Sequence, residues 1–233
     1  MLKLFGFITK IYKGHEMKII GIVGGIGSGK STIARYMERD HEACLIEVDK
    51  IVHKVLNLPE IADQIYAKFR KYGYRKGVSD NIFTGQAVAV TDRKAVGRVV
   101  LSNEEEFKWL EKLTFPIVDE MLRKSLSRYI DGIPAVVLDC PLLFESNWDK
   151  LCDIIVFVDT DHETRCQRFM ARTMEQNAKE KWEALEKRQM PLEEKRQRSN
   201  FVIDNNKSHQ IPIDRFWEMY VLGEHVIPEP ERT

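Results

Sequence analysis

Short apolar runs recur along the chain and predict the strands of a parallel β-sheet. A strand covered on both faces is apolar at nearly every position, whereas a half-exposed strand alternates apolar and polar residues. Segments with helical periodicity separate the runs, so we expect an α/β fold with helices flanking a five-stranded parallel sheet. The five runs are 18–23, 44–48, 135–138, 154–158 and 201–203.

The stretch between the second and third runs is much longer than a simple crossover connection. We therefore expect a helical domain inserted at residues 51–131, between two neighbouring strands of the sheet. Apolar periodicity within this stretch predicts helices at 51–56, 61–72, 93–101, 104–113 and 117–129.

A second departure from the sheet pattern is the charge-rich stretch 162–198, which contains Arg165, Arg168 and Arg172 among many basic residues. A solvated helical hairpin would explain so much charge. A helical lid that closes arginines over phosphate groups would explain it equally well. Both interpretations stay open on this pattern alone.

These insertions leave three segments for the core. Met17 opens the first core strand, and we expect residues 1–16 to be an appendage, because their apolar patch is interrupted by lysines and lacks the small-residue cleavage site of a signal peptide. The core segments are residues 17–50, 132–161 and 199–233.

The sequence VGGIGSGKST, residues 23–32, follows the first strand and precedes a helical pattern. Gly24, four residues, then Gly29-Lys30-Ser31 is the P-loop spacing, and its context of strand, loop and helix is the one that the motif requires. Backbone N–H groups of such a loop cradle phosphates, the lysine spans the β- and γ-phosphates, and the Ser31 hydroxyl ligates Mg²⁺. We therefore expect ATP and Mg²⁺ as cofactors of a P-loop NTPase-type fold. The predicted nucleotide-binding residues here are Gly25, Gly27, Ser28, Gly29, Lys30, Ser31 and Thr32.

Composition narrows the possible partners. The 36 basic and 36 acidic residues balance, which gives no general attraction to nucleic acid or to an anionic membrane. No apolar stretch reaches the roughly 18 residues of a membrane span. The four cysteines lack C-x-x-C spacing and the six histidines are scattered, so the sequence indicates no transition-metal motif. We expect a cytoplasmic protein with reduced thiols that acts on a small molecule.

A P-loop occurs in kinases, ATPase motors and GTPases. GTPases also need an N-K-x-D guanine motif, and Asn206-Lys207 is followed by Ser-His, so a small-molecule kinase is favoured. Asp49, at the end of the second strand, is the candidate base for the acceptor hydroxyl. His53 lies one helical turn later, either as a substrate contact or as a surface residue. Asp139 ends the third strand, either as a Mg²⁺ ligand or as a structural residue of the following turn.

Five sequence blocks together resemble the dephospho-CoA kinase family over residues 17–206: GIVGGIGSGKST, EVDKIVHKVL, TDRKAVGRVVLS, VVLDCPLLFES and RQMPLEEKRQRSNFVIDNN. This resemblance implies ATP-dependent phosphorylation of the ribose 3′-hydroxyl of dephospho-CoA, the last step of coenzyme A biosynthesis. It also implies a nucleotide core, a helical CoA-side domain and a lid, which agrees with the two insertions.

The resemblance also implies residue roles. Asp49 matches the acid that activates the 3′-hydroxyl. Two lid arginines match positions near the ATP phosphates, and Asn205 matches a position beside the adenine. For Arg93 an ion pair with Asp92 or Glu106 is an open alternative. In full, the predicted catalytic residues are Asp49, Lys30 and Arg168; Arg172 and Asn205 join the nucleotide-binding set; Asp49, His53, Asp92, Arg93 and Leu142 bind substrate; and Ser31 and Asp139 bind the metal.

The chain departs from the family pattern at several positions. Phe115 stands where the family usually has histidine, Glu47 replaces an aspartate, and Ser199-Asn200 replaces Ala-Asp. In the lid, Leu185 stands where an arginine is expected, and Lys187 or Arg188 could replace it from the next turn. Three hypotheses follow: an active dephospho-CoA kinase, a kinase for another nucleoside or small alcohol, and a catalytically weak paralogue that binds nucleotide as a sensor.

Overall fold

The computed structural model describes residues 11–12, 15–74, 77–80, 87–128, 132–173, 178–206 and 210–223. The chain divides into two compact units: Met1–Glu47 with Leu126–Thr233, and Val48–Ser125. The second unit overlaps most of the predicted helical insertion. How the remaining residues divide into core, lid and appendage stays a prediction.

The described residues form both strands and helices. The strands are β1 (Ile11–Tyr12), β2 (His15–Glu16), β3 (Lys18–Gly24), β4 (Cys44–Glu47), β5 (Gly77–Asp80), β6 (Ala87–Val90), β7 (Ala135–Asp139), β8 (Ile154–Asp159) and β9 (Phe201–Asp204). The helices are α1 (Lys30–Asp40), α2 (Val48–Leu56), α3 (Pro59–Phe69), α4 (Arg93–Ser102), α5 (Glu104–Ser127), α6 (His162–Arg172), α7 (Ala178–Glu186), α8 (Leu192–Gln197) and α9 (Gln210–Phe216), with a π-helical turn at Trp217–Val221.

The predicted five-stranded parallel sheet is confirmed. Its strands run in the order β4-β7-β3-β8-β9, and every neighbouring pair is parallel. Since parallel strands end at one edge, the loop after β3 lies at the same edge as the carboxyl ends of β7 and β9. Asp139 pairs in register with Glu47 on one side and with Ile22 on the other.

The core of the first unit lies between the sheet and α1. Ile20, Ile22, Ile33 and Met37 are fully buried there. The last helical segment completes this core, and Trp217 stacks on His41 at the end of α1 with 4.8 Å between ring centroids. The helix that carries the P-loop at its start is therefore packed along its length.

The turn after β7 packs directly on the central strand. A Cβ atom at Gly21 would lie 2.6 Å from Leu143 Cδ2 and 2.8 Å from Cys152 Sγ. Burial raises the pKa of the Cys152 thiol to about 12, so this thiol is unreactive at neutral pH. None of the four cysteines, all within the described residues, forms a disulfide.

The second unit differs from the sequence prediction in two places. Two helices, 104–113 and 117–129, were expected on either side of Pro116, but α5 runs continuously from Glu104 to Ser127 with Pro116 inside it. The proline removes one hydrogen bond, while buried Val118 and Leu122 continue the apolar face beyond it. The antiparallel pair β5–β6 was not predicted.

Ahead of the core, β1 and β2 form a two-residue antiparallel pair, and Met17 is buried. Residues 1–10, which make up most of the predicted appendage, lie outside the described residues. Among the helices that the structure describes, none combines the length and the apolar character needed to cross a membrane.

Candidate active site

The P-loop has a backbone shape that requires glycine. Gly27 has φ 74° and Gly29 has φ 92°, both in the left-handed region that other residues adopt at a cost. The surrounding atoms also leave no room for a side chain at either position. A Cβ atom at Gly27 would lie 2.3 Å from the Arg165 carbonyl oxygen, and one at Gly29 would lie 2.3 Å from Asn205 Nδ2.

Lys30, the first residue of α1, is bound to its own loop. Its Nζ donates to the carbonyl oxygens of Gly24 at 3.0 Å and Gly25 at 2.7 Å. The side chain is buried, so the ammonium group is held against the loop and does not extend into solvent. A cation in this position adds to the positive potential at the start of the helix.

The loop carbonyls are tied to neighbouring elements. Arg165 Nη1 donates to the Ile26 carbonyl at 3.3 Å, and the Ser28 carbonyl accepts from Thr160 and Asn205. The first N–H groups of a helix have no partner within it, and those of α1 begin where this loop ends. Such a set of N–H groups is a phosphate-binding arrangement.

The Ser28 hydroxyl gives a further test of this interpretation. Ser28 is fully buried, and its Oγ has no hydrogen-bond partner in the structure. A buried polar group without a partner costs free energy, and a phosphate oxygen bound in the loop could accept this hydrogen bond. Ser31 is half-buried and Thr32 is exposed, both in the first turn of α1. The predicted nucleotide-binding residues of the loop thus form one continuous segment suited to a phosphate chain.

The two residues predicted to bind the metal lie at the same edge of the sheet. Asp139 is buried at the end of β7, and Ser31 lies in the first turn after the P-loop. Within the described ranges no three His, Cys, Asp or Glu side chains converge as a metal site. One carboxylate and one hydroxyl, completed by phosphate and water oxygens, is a donor set that suits Mg²⁺.

The second unit contains four of the five residues predicted to bind substrate, Asp49, His53, Asp92 and Arg93, whereas Leu142 belongs to the first unit. The strand ends at Glu47, and helix α2 begins at Val48, the last residue of the predicted strand, so Asp49 lies exposed in the first turn of the helix. Arg93 Nη1 contacts both ring nitrogens of His53, at 2.7 Å from Nδ1. Burial, followed by the Arg93 charge, lowers the pKa of His53, while the Asp49 carboxylate opposes the shift. Asp49, His53 and Arg93 therefore interact electrostatically.

Asp92 has a local structural role. Its Oδ1 accepts from the Ala95 N–H at 3.1 Å and caps α4, as aspartate does at helix starts. Of the two partners considered for Arg93, Glu106 pairs with Lys71 at 2.8 Å and Lys68 at 3.4 Å, while Arg93 contacts His53. A substrate-binding role for Asp92 and Arg93 stays a prediction.

The charged stretch 162–198 contains buried as well as exposed cations. Arg168 and Arg172 are exposed on α6. In contrast, Arg165 is buried, pairs with Glu186 at 2.5 Å and lies over the Trp182 ring. A solvated helical hairpin therefore does not describe the whole stretch, because Arg165 is buried.

Leu185 takes part in a small apolar cluster. It packs against buried Ile26, Phe169 and Trp182, which joins α6 and α7 to the tip of the P-loop. The arginine expected from the family pattern is thus replaced by an apolar packing contact. Lys187 is exposed and Arg188 half-buried in the turn after α7.

Lys195 was not singled out from the sequence. It is fully buried, and its Nζ donates to Glu145 Oε1 at 3.0 Å and to the Pro141 carbonyl at 3.1 Å. Glu145 Oε1 also accepts from the Met190 N–H at 2.8 Å. The ion pair ties α8, and the Met190 hydrogen bond ties the segment before α8, to the turn that contains the half-buried Leu142.

The Asn200 departure preserves a hydrogen-bonding role. Asn200 Oδ1 accepts from the Ile155 N–H at 2.7 Å, and its own N–H donates to the Ile155 carbonyl at 2.8 Å. An aspartate carboxylate at this position could accept the same bond. Asn205 is buried with its amide on the Ser28 carbonyl, so contact with adenine stays a prediction.

A comparison with known protein families identifies the family of this chain. The dephospho-CoA kinase family model matches residues 18–210. The chain belongs to the dephospho-CoA kinase family. It is therefore an enzyme of the kinase class, and the family resemblance of its sequence blocks is confirmed.

Individual relatives support this family assignment. The dephospho-CoA kinase of Symbiobacterium thermophilum is 37% identical over 214 residues, covering 89% of this chain and 83% of that protein. Dephospho-CoA kinase CAB5 of Saccharomyces cerevisiae is 30% identical, covering 93% and 86%. The crystal structure of TT1252 from Thermus thermophilus superposes with a TM-score of 0.68 at 30% identity, covering 89% of this chain and 97% of that one.

The His53–Arg93 contact predicts a pH dependence. Because the pKa of folded His53 is lowered from its ordinary value of 6.5, its contribution to stability is present above pH 6.5 and is lost as the pH falls through the folded pKa. In an NMR titration we expect a His53 midpoint below 6.5. Arg93→Met should raise this midpoint and Arg98→Met, on the same helix, should not. A midpoint that Arg93→Met leaves unmoved would show that Arg93 does not contribute to the shift.

Proposed function

We propose that the chain transfers the γ-phosphoryl group of ATP to the ribose 3′-hydroxyl of dephospho-CoA, giving coenzyme A and ADP. The observation that carries the proposal is the P-loop with its bound Lys30 in a chain of the dephospho-CoA kinase family. Family membership favours this reaction over a kinase for another alcohol and over a nucleotide sensor. The partner is thus a small molecule, and the absence of disulfides among its four cysteines supports a cytoplasmic location.

The nucleotide-binding part of the proposal rests on the first unit. Backbone N–H groups of residues 27–30 bind the phosphates. Lys30 exchanges the Gly24 and Gly25 carbonyls for phosphate oxygens and neutralises charge that develops during transfer. Arg168 and Arg172 are exposed cations on α6, and in this proposal they bind phosphate oxygens from the lid side.

Ser31 and Asp139 are the proposed Mg²⁺ ligands. When bound, Mg²⁺ would neutralise negative charge on the β- and γ-phosphates. The chain supplies a hydroxyl and a buried carboxylate, and the phosphate chain itself supplies further oxygen ligands.

Asp49 is the proposed base. An exposed carboxylate on the first turn of α2 can accept the proton of a hydroxyl that attacks phosphorus. His53 and Arg93, within the same unit, are proposed to bind the anionic acceptor, together with Asp92 and Leu142. The bond that forms joins the 3′-oxygen to the γ-phosphorus, and the bond that breaks joins that phosphorus to the oxygen bridging to ADP.

The test is ADP release from ATP and Mg²⁺ with dephospho-CoA, beside adenosine, AMP and pantetheine as control acceptors. We expect release to be stimulated by dephospho-CoA alone, and mass spectrometry should find one added phosphate on that substrate. Equal stimulation by adenosine would indicate a nucleoside kinase. Binding of ATP without release for any acceptor would indicate the sensor.

A further inference from the structure

The carbonyl oxygen of Ser28, in the middle of the P-loop, accepts hydrogen bonds from three side chains. Asn205 Nδ2 lies at 2.7 Å, Thr160 Oγ1 at 3.0 Å and Arg168 Nη1 at 3.4 Å. Thr160 and Asn205 are both buried. They follow β8 and β9 directly, so two strands of the sheet hold one peptide group of the loop.

Asn205 is itself held in place. The Asn205 N–H donates to the Asp159 carbonyl at 2.8 Å, which joins the ends of the two strands. The orientation of the Asn205 amide follows from its partner, because a carbonyl oxygen can only accept and the group facing it must be the NH₂. If either donor turned away, the Ser28 carbonyl would lose a hydrogen bond inside the protein.

The planar trans peptide converts this contact into a direction for the next N–H group. In a trans peptide the C=O and N–H vectors point in opposite directions across a rigid plane. Holding the Ser28 oxygen against Thr160 and Asn205 therefore directs the Gly29 N–H away from them. Gly29 is also the residue with φ 92° just before α1, and Asn205 Nδ2 occupies the space that a side chain there would need.

The third donor differs from the other two. A carbonyl oxygen has two lone pairs, and the two shorter bonds satisfy them. The bond from Arg168 is the longest, and Arg168 is exposed while the other two donors are buried. Arg168 can therefore leave for a phosphate without releasing the peptide.

We propose that Thr160 and Asn205 are positioning residues for nucleotide binding: by holding the Ser28 carbonyl they aim the Gly29 N–H at the phosphate chain. The proposal rests on the nucleotide being the ligand of the loop, as in the proposed function. It does not depend on the identity of the acceptor.

The test compares ligands that differ by one phosphate. Thr160→Val keeps the side-chain shape and removes the hydroxyl. We expect it to weaken ADP binding about tenfold, because a misdirected Gly29 N–H would lose about one hydrogen bond to a charged phosphate oxygen. AMP binding should change less than about twofold. Thr160→Ser, which keeps a hydroxyl, should restore most of the ADP affinity. Isothermal titration calorimetry without acceptor gives both dissociation constants.

Controls separate positioning from general loss of structure. Thr114→Val removes a hydroxyl that likewise donates to a backbone carbonyl, at 2.9 Å from Leu110 O, and should leave both affinities unchanged. If Thr160→Val does not fold, Thr160→Ala removes the same donor with a smaller side chain, and it should likewise weaken ADP binding while AMP binding changes little. Equal loss of ADP and AMP affinity, or unchanged ADP affinity, would overturn the proposal.

The outcomes also separate this proposal from the proposed function. A wild-type chain that binds ADP but phosphorylates no dephospho-CoA would overturn the proposed function alone. A wild-type chain that binds no ADP would overturn both.

Discussion

Replacing Asp49 with asparagine is expected to lower kcat by about 10²- to 10⁴-fold, the usual contribution of a general base. Asparagine has the same shape but cannot accept the proton of the acceptor hydroxyl at neutral pH. The ATP dissociation constant should stay within about twofold, because Asp49 is not part of the loop that is proposed to bind the phosphates. A lower kcat with an unchanged ATP dissociation constant indicates a group that acts in the chemical step.

The measurement pairs steady-state ADP release with equilibrium ATP binding. Asp63→Asn is a matched control, since Asp63 is an exposed aspartate on α3 in the same unit and has no proposed catalytic role. Its kcat should equal that of the wild type. An Asp49→Asn enzyme with undiminished kcat would remove Asp49 from the mechanism.

The second large effect is expected on stability, from the buried pair that joins Glu145 to Lys195. Glu145→Ala leaves the Lys195 ammonium, fully buried, with no carboxylate partner. Removing one partner of a buried pair typically costs about 3–5 kcal/mol. Glu145 is itself 22% exposed, so we expect a loss near the lower limit, about 3 kcal/mol in the free energy of unfolding.

Urea denaturation measures this loss directly. Glu145→Gln keeps an oxygen that accepts from Lys195 and from the Met190 N–H, so it should cost less than Glu145→Ala. Glu193→Ala, an exposed glutamate on α8, should change stability by less than about 0.5 kcal/mol. Equal stability of Glu145→Ala and wild type would mean that water solvates Lys195 in solution.

Much of the fold follows from local sequence patterns. The five strands are apolar at nearly every position because helices cover both faces of the sheet, and this signal is present within each strand. The P-loop is equally local, since its glycines, Lys30 and Ser31 lie within eight residues. In α5, however, residues on both sides of Pro116 pack on one apolar face, and this tertiary contact outweighs the local signal for a break.

The unpredicted parts of the site depend on residues far apart in the sequence. The charge of Lys195 is visible in the sequence, but its partner Glu145 lies 50 positions earlier, so a local pattern indicates only a solvated face. The same holds for Ser28, whose carbonyl partners follow two distant strands. Asp92 was assigned to substrate from a motif, and the structure adds that it caps a helix.

The bonds from Lys30 to the Gly24 and Gly25 carbonyls affect the free energy of nucleotide binding. By donating to these two carbonyls, the Lys30 ammonium group holds the loop around a positive charge before a nucleotide binds. Binding then exchanges one set of oxygen partners for another and orders little new backbone, which reduces the entropic cost of association. The same exchange means that observed affinity reflects a difference between two sets of contacts, so a tightly shaped loop is compatible with rapid release of ADP after each turnover.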